Sequence, residues 1–499
     1  MSALGRLLRS GTMSRQFREI HTLDKDLERI SAAERAGVQS LRALTRTGIA
    51  VLFVAVMVVV AAGMAARGGT AALGNHVGVA TVAAGMALAI YFALTIGAND
   101  VSNSLSPAVG SGAIGLRAGL ALVAVAEIAG AVLAGERVSA TLSLRIVNSA
   151  QLLADGQAAP AMLAALLAAA IWMNLATWAG APVSTTHSIV GGIAGAGVAV
   201  YGLSAVNWGG VAVIALGWIA SPVAAALVAA GLLALVRERI GMAADRAAAA
   251  RRWLPAMVAA LTALAAGMLI GGPLGQGKAV SLVLMLAIGA AVRVAALAHL
   301  NRRIAAAALI GAEPRQRDLF AVPLVLAAVL MAFAHGANDA SNVTAPLGLI
   351  LAAAGQAGGA PAGSALQPIA TLAAGGGLAL GGLLFGRRLV VMVGSRITRL
   401  NPVRAFCVSL GTSAVVIGAS WLGLPVSTTH VAVGGVFGVG FYREWEDRRR
   451  KRDRKALPVE ETRRRTLVRR AHVRRILFAW AITLPASASL AALFGTMMR

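Results

Sequence analysis

The sequence predicts an all-α polytopic membrane protein with inverted-topology repeats, broken helices and re-entrant-like hairpins, in about 11–13 membrane segments. Three observations carry this. Hydrophobic residues make up 58% of 499 and charged residues only 13%, more apolar surface than a soluble core can hide. Many stretches approach the roughly 20 apolar residues that cross a bilayer, and they are continuous, not alternating, which excludes a β-barrel. Two short polar motifs at membrane depth each occur twice.

The elements follow in order. Residues 1–47 are charged and amphipathic and read as a cytoplasmic extension. The run 48–66 is too long and lies too far along the chain for a signal peptide, so 48–76 reads as an extra span and loop. The first transport repeat covers 77–236. A linker region, 237–318, holds two further spans near 253–271 and 279–300; Arg293, near the basic end of the second, is expected to snorkel. The second repeat covers 319–497 and includes a basic loop, 443–475. The formal charge of +25 is concentrated in 1–47, 237–252, 301–318 and 443–475. Basic clusters between spans mark cytoplasmic loops beside anionic lipid. No aromatic or recognition pattern accompanies the arginines, so nucleic acid is not expected as a partner. The single Cys407 gives neither an internal disulfide nor a metal cluster.

Internal repetition organises the rest. "GANDVSN" at 97–103 recurs as "GANDASN" at 336–342, and "APVSTTH" at 181–187 is echoed by "LPVSTTH" at 424–430. The offsets are 239 residues (336 − 97) and 243 (425 − 182). Further on, Trp218 with Pro222 mirrors Trp480 with Pro485. Charge fixes orientation. The loop 203–208 carries no charge, whereas its counterpart 443–475 is strongly basic. The loop 136–160 is nearly neutral, whereas 387–404 carries five arginines and no acid. Equivalent elements are therefore expected on opposite sides, with residues 1–47 inside and the C-terminus outside. Inverted halves place a site at the midplane where they meet.

In the first motif Asp100 and Asn103 are three residues apart and share a helix face, with Asn99 beside them. Asp339, Asn342 and Asn338 repeat the arrangement. A carboxylate in lipid is costly and is expected to face protein, water or an ion. Carboxylate and amide oxygens are hard ligands that suit small cations. The glycines before and Pro107 or Pro346 after favour a broken helix, whose freed carbonyls could add ligands. Hydroxyls of Ser102 and Ser341 are accessory candidates.

In the second motif Pro182 and Pro425 suit a helix start. Ser184, Thr185 and Thr186, and likewise Ser427, Thr428 and Thr429, suit the cap and first turn. A helix N-terminus with added hydroxyls suits a tetrahedral oxyanion without arginine. His187 and His430 are expected to hold the hairpins by hydrogen bonds. Glu127 is either a structural partner for a polar group or part of an ion path. His335 is matched by Ile96 in the other half and is discounted on that ground.

Two aspartates beside a divalent anion would gather about four negative charges in a low dielectric. That state requires cations or protons to enter with the anion. Competing classes fit less well. An intramembrane hydrolase needs no duplicated anion cradle, and an anion channel would not line its path with carboxylates. No nucleotide-binding loop of the Walker type is present. The chain is thus not expected to be an enzyme, and no cofactor is expected.

At these residues the chain closely resembles the inorganic phosphate transporter (PiT) family, whose pattern is one G-A-N-D-x-x-N and one P-V-S-T-T-H stretch in each half. The resemblance covers roughly residues 77–497. It implies a symporter in the bacterial inner membrane that imports phosphate with sodium ions or protons, and a homodimer. By position it implies phosphate at Ser184, Thr185, Thr186, Ser427, Thr428 and Thr429, with Asp100 and Asp339 also facing it. Cation ligands would be Asp100, Asn103, Asp339 and Asn342. Ser102 and Ser341 stand where the family usually has alanine, and some relatives carry sulfate.

Overall fold

Lipid offers backbone groups no hydrogen-bond partners, so an apolar chain of this composition folds as helices. The structure is a computed structural model that describes residues 44–63, 76–179, 183–270, 278–357, 362–394, 401–451 and 470–498. Among them no β-strand forms; Val147 and Val206 make an isolated bridge. The chain divides into two compact units, residues 1–53 and 54–499. Residues 44–53 of the first unit are helical and belong to α1 (Leu44–Gly63).

The second unit continues with α2 (His76–Gly110), α3 (Leu116–Ala134), α4 (Glu136–Leu144), α5 (Ser149–Ala154), α6 (Ala158–Trp178), α7 (Thr185–Tyr201) and α8 (Trp208–Val236). Then come α9 (Arg246–Ile270), α10 (Lys278–Leu309), α11 (Gln316–Asp339), α12 (Ser341–Ala357), α13 (Ala362–Phe385) and α14 (Arg387–Met392). The last are α15 (Pro402–Trp421), α16 (Thr428–Lys451) and α17 (Arg470–Met497). Several starts are written in the sequence. The Asn207 side chain accepts from Gly210 N, and Asn401 accepts from Arg404 N with Pro402 opening the helix.

Eleven helices among the described residues are long and apolar enough to cross a membrane. The first begins at Leu44, and α9 begins at Arg246 inside the stretch 237–252 expected as a loop. Arg293 lies exposed on α10, as a snorkelling side chain would. The expected helix break appears in one motif only. In the second half, α11 and α12 are separated by the single residue Ala340, whose φ of −60° and ψ of −28° remain helical. In the first half, α2 runs unbroken through Asn99, Asp100, Asn103 and Pro107. The neighbouring helices cover this segment, so Asn99, Asp100, Ser102 and Asn103 find partners without unwinding of the backbone, while Ser104 and Ser106 Oγ are buried with no partner among the described residues.

The two motif-bearing regions pack crosswise. Helix α2 lies along α13, and α11 along α3. Helix α7 lies along α17, and α16 along α8. Glycines set these approaches. A Cβ on Gly97 would stand 1.8 Å from the carbonyl oxygen of Leu378, and one on Gly336 would stand 2.0 Å from that of Glu127. Gly195 faces the carbonyl oxygen of Ala488 and Gly438 that of Ala226, each 2.0 Å from where a Cβ would lie. Small residues at such seams let backbones touch, which replaces the hydrophobic drive that lipid does not supply. A separate layer, α9 with α10, packs on α11 and α15 through Leu254, Val258, Phe320 and Phe406.

Candidate functional site

Four helix segments converge where the motifs meet. Ser184 caps α7, its hydroxyl accepting from His187 N at 3.2 Å, and Thr185 opens the helix. Ser427 does the same before α16, accepting from His430 N at 3.4 Å. This is the capping geometry the sequence indicated; Pro182 lies outside the described residues. Helix α7 has only 17 residues, about 25 Å at 1.5 Å per residue, which is short of the roughly 30 Å hydrocarbon core. Both Ser/Thr stretches are buried apart from a partly exposed Thr429.

The carboxylates sit directly against these hydroxyls. Asp100 Oδ2 accepts from Thr185 at 3.5 Å, and its Oδ1 accepts from Thr429 at 2.9 Å and from Asn103 Nδ2 at 3.3 Å. Asn103 Nδ2 also donates to Thr429 Oγ1 at 2.9 Å. Asp339 Oδ2 accepts from Thr428 at 3.0 Å, and Asn342 Nδ2 donates to Thr186 Oγ1 at 3.4 Å. Each half therefore bonds its own hairpin through the first threonine and the opposite hairpin through the second. Two oxygens, Asp339 Oδ1 and Asn342 Oδ1, are buried with no donor. Orphaned acceptors of this kind call for a cation or a proton-bearing ligand. Atoms of Asp100, His335 and Asp339 lie within 4.8 Å of one another, close enough to share one ion.

Asn99 and Asn338 stand one step back. Asn99 Nδ2 donates to Thr177 at the end of α6. Asn338 Nδ2 donates to Ser420 Oγ and Leu424 O, and its Oδ1 accepts from Val426 N. Asn99 thus braces the end of α6, and Asn338 the loop between α15 and α16. Ser102 donates to the carbonyl of Asn99 within α2, and Ser341, at the start of α12, donates to that of Asn338 at the end of α11.

The histidines of the second motif are held chiefly by ring contacts, where hydrogen bonds were expected. No side chain among the described residues bonds the ring nitrogens of His187 or His430, and the Trp480 backbone approaches the His187 ring. The rings stack instead. His187 lies 3.8 Å from Trp218 and His430 lies 3.4 Å from Trp480, ring centre to ring centre, and the two imidazoles meet edge to face at 4.7 Å. Trp218 Nε1 also donates to Pro425 O. A lone histidine in a sequence suggests hydrogen bonding; only the fold shows that a tryptophan covers each ring.

His335, discounted from the sequence for lack of a counterpart, lies at the centre. Its Nδ1 is 2.8 Å from Glu127 Oε1 and its Nε2 is 3.1 Å from Asp339 Oδ2, with all three side chains fully buried. Glu127 is thus a partner for a polar group, one of the two roles expected of it. The signal that could have found the pair is present: the only acid in α3 and a histidine four residues before Asp339 are both intramembrane ionisable groups, which are functional by default.

Fold and site together define a polytopic α-helical membrane protein with a buried carboxylate and hydroxyl centre between two motif-bearing halves. The model of the phosphate transporter family matches residues 96–491. A provisionally named phosphate permease of Helicobacter pylori (strain J99) is 42% identical over 360 residues, 71% of this chain and 67% of that protein. The chloroplastic inorganic phosphate transporter 2-1 of Arabidopsis thaliana is 32% identical over 81% of this chain and 70% of its own length. Among solved structures, a sodium-dependent phosphate transporter superposes with a TM-score of 0.74 at 29% identity, covering 84% of this chain and 98% of that one. The chain belongs to the phosphate transporter family.

Proposed function

We propose that the protein is a secondary active symporter that imports inorganic phosphate with sodium ions or protons by alternating access. The observation that carries this reading is the alternation of donors and acceptors at the centre. Hydroxyls of Thr185, Thr186, Thr428 and Thr429 and the capped starts of α7 and α16 offer donors to an oxyanion, with Ser184 and Ser427 fixing the caps. Asp100, Asn103, Asp339 and Asn342 offer the oxygens for cations. In the structure the hydroxyl of Thr186 donates to Val426 O, and those of Thr185, Thr428 and Thr429 donate to the carboxylates. A cation bound to Asp100 and Asp339 would take over the carboxylate oxygens and release those hydroxyls for phosphate. Cation entry then precedes anion entry, which is the coupling a symporter needs. The sodium dependence stated in the name of the solved relative supports sodium as one coupling ion.

The halves act as an inverted pair, a reading supported by the opposite charge of equivalent loops and by the crosswise packing of α2 on α13 and α11 on α3. The basic loops then face the cytoplasm, residues 1–47 lie inside, the C-terminus lies outside, and the protein sits in the inner membrane as a homodimer. Radiolabelled phosphate uptake into proteoliposomes tests this, with sodium and pH gradients imposed separately and sulfate and arsenate as competitors. Concentrative uptake under one gradient is expected. Uptake indifferent to both gradients overturns symport, and concentrative sulfate uptake unaffected by phosphate moves the substrate to sulfate.

A further inference from the structure

Away from the central site, a cavity of about 890 Å³ opens among the ends of α8, α9, α11, α15 and α16. Its volume lies in the range of small-molecule sites. Four arginines line it: Arg237, Arg246, Arg404 and Arg443. Three acids line it as well: Glu446 is held by Arg237 in an ion pair, Asp245 caps α9 by accepting from Ala248 N at 2.9 Å, and Glu313 lies ahead of α11. Arg404 and Arg443 make no ion pair among the described residues, yet they are close enough for their like charges to repel. The guanidinium of Arg404 is also pre-oriented. Asn401 Oδ1 accepts from Arg404 Nε and from its backbone nitrogen, each at 3.0 Å, and the two terminal nitrogens have no partner among the described residues. The starts of α9, α11 and α15 all border the cavity, so three positive helix-dipole ends add to the field.

Two half-buried guanidinium groups that no acid of the described residues pairs are stabilised when an anion joins them. We infer that this cavity is a second anion site that takes a phosphate group, bridged by Arg404 and Arg443, distinct from the Asp/Thr centre. Forked guanidinium donors match phosphate oxygens two at a time. The group is carried either by free inorganic phosphate or by the headgroup of an anionic phospholipid, since the same contacts serve both.

The test uses the full-length purified chain in two arms. In the first, radiolabelled phosphate bound per chain is counted in lipid-free detergent for the wild type, Arg404→Gln, Arg443→Gln and the exposed-surface control Arg302→Gln. In the second, phosphatidylglycerol retained against phosphatidylcholine is counted by native mass spectrometry after reconstitution in nanodiscs. If free phosphate is the source, the wild type binds one phosphate beyond the central one. Either cavity variant then weakens that site about tenfold or more, as expected for a charged hydrogen bond, while Arg302→Gln leaves it intact. If lipid is the source, the same pattern appears in the second arm alone. Arg404→Lys keeps the charge and guards against misfolding; partial recovery is expected. Loss in neither arm, or equal loss in Arg302→Gln, overturns the site.

Discussion

Consider Asp100→Asn. The substitution is nearly isosteric and keeps an oxygen for Thr429 and an amide beside Asn103, so the local bonds at 2.9 and 3.3 Å can persist. What it removes is one charge. Asp100 and Asp339 place ligand atoms within 4.8 Å of each other. At an effective dielectric of about 20, two unit charges at that separation repel by about 3.5 kcal/mol. A cation relieves this repulsion, so it is part of the drive for cation binding. Removing it should weaken cation affinity by about 300-fold, taking 1.4 kcal/mol per factor of ten. The same change lowers the negative charge that phosphate meets, so phosphate binding without sodium should strengthen. The assay is phosphate binding to purified protein as sodium or pH is varied. For the proposed coupling ion, sodium or proton, the half-saturating concentration should rise by two orders of magnitude or the dependence on it should vanish. A variant with the wild-type dependence on that ion would refute both the shared ion and the electrostatic coupling built on it.

Other perturbations probe the scaffold around that centre. Thr429→Val removes the hydroxyl that joins α16 to both Asp100 and Asn103; a loss of about 2 kcal/mol is expected from a hydrogen bond to a charged group, seen as a lower midpoint in detergent thermal denaturation. Gly195→Val sets a side chain where Ala488 O would stand 2.0 Å from its Cβ. Separating α7 from α17 should cost about 3 kcal/mol or more, read as loss of a monodisperse peak in size-exclusion chromatography, whereas the same change at partly exposed Gly217, where nothing lies within 4 Å, should be silent. Glu127→Leu leaves His335 buried with one partner and should cost about 3 kcal/mol, while the double change Glu127→Leu with His335→Leu should cost much less. A double-mutant cycle on the unfolding midpoint checks this; additive losses would mean that the pair does not couple.

The pattern of expectation and outcome follows from what each kind of information contains. Apolar length and the repeated motifs are local properties of the chain. They determined the membrane class, the helical content, the duplication, and the placement of Ser184 and Ser427 as caps, because each depends on a few neighbouring residues and on the insolubility of bare backbone in lipid. Asp100, Asn103, Asp339 and Asn342 were legible for the same reason: a polar group inside an apolar run is conspicuous. What the sequence left undecided depends on which helix lies against which. The continuity of α2 through Pro107 rests on the helices that cover it. The stacking of His187 on Trp218 and His430 on Trp480 joins residues that are 31 and 50 positions apart (218 − 187 and 480 − 430). His335 has no counterpart in its sequence repeat, and comparing the repeats hid it; the seam between α11 and α3 gives it Glu127, 208 positions away. The crossing of Thr186 to Asn342 and of Thr429 to Asp100 spans the two halves. Tertiary structure alone decided these, because a hydrogen bond or ring contact is set by distance in space, and in a helical membrane bundle that distance is fixed by close helix seams such as those at Gly97, Gly195, Gly336 and Gly438.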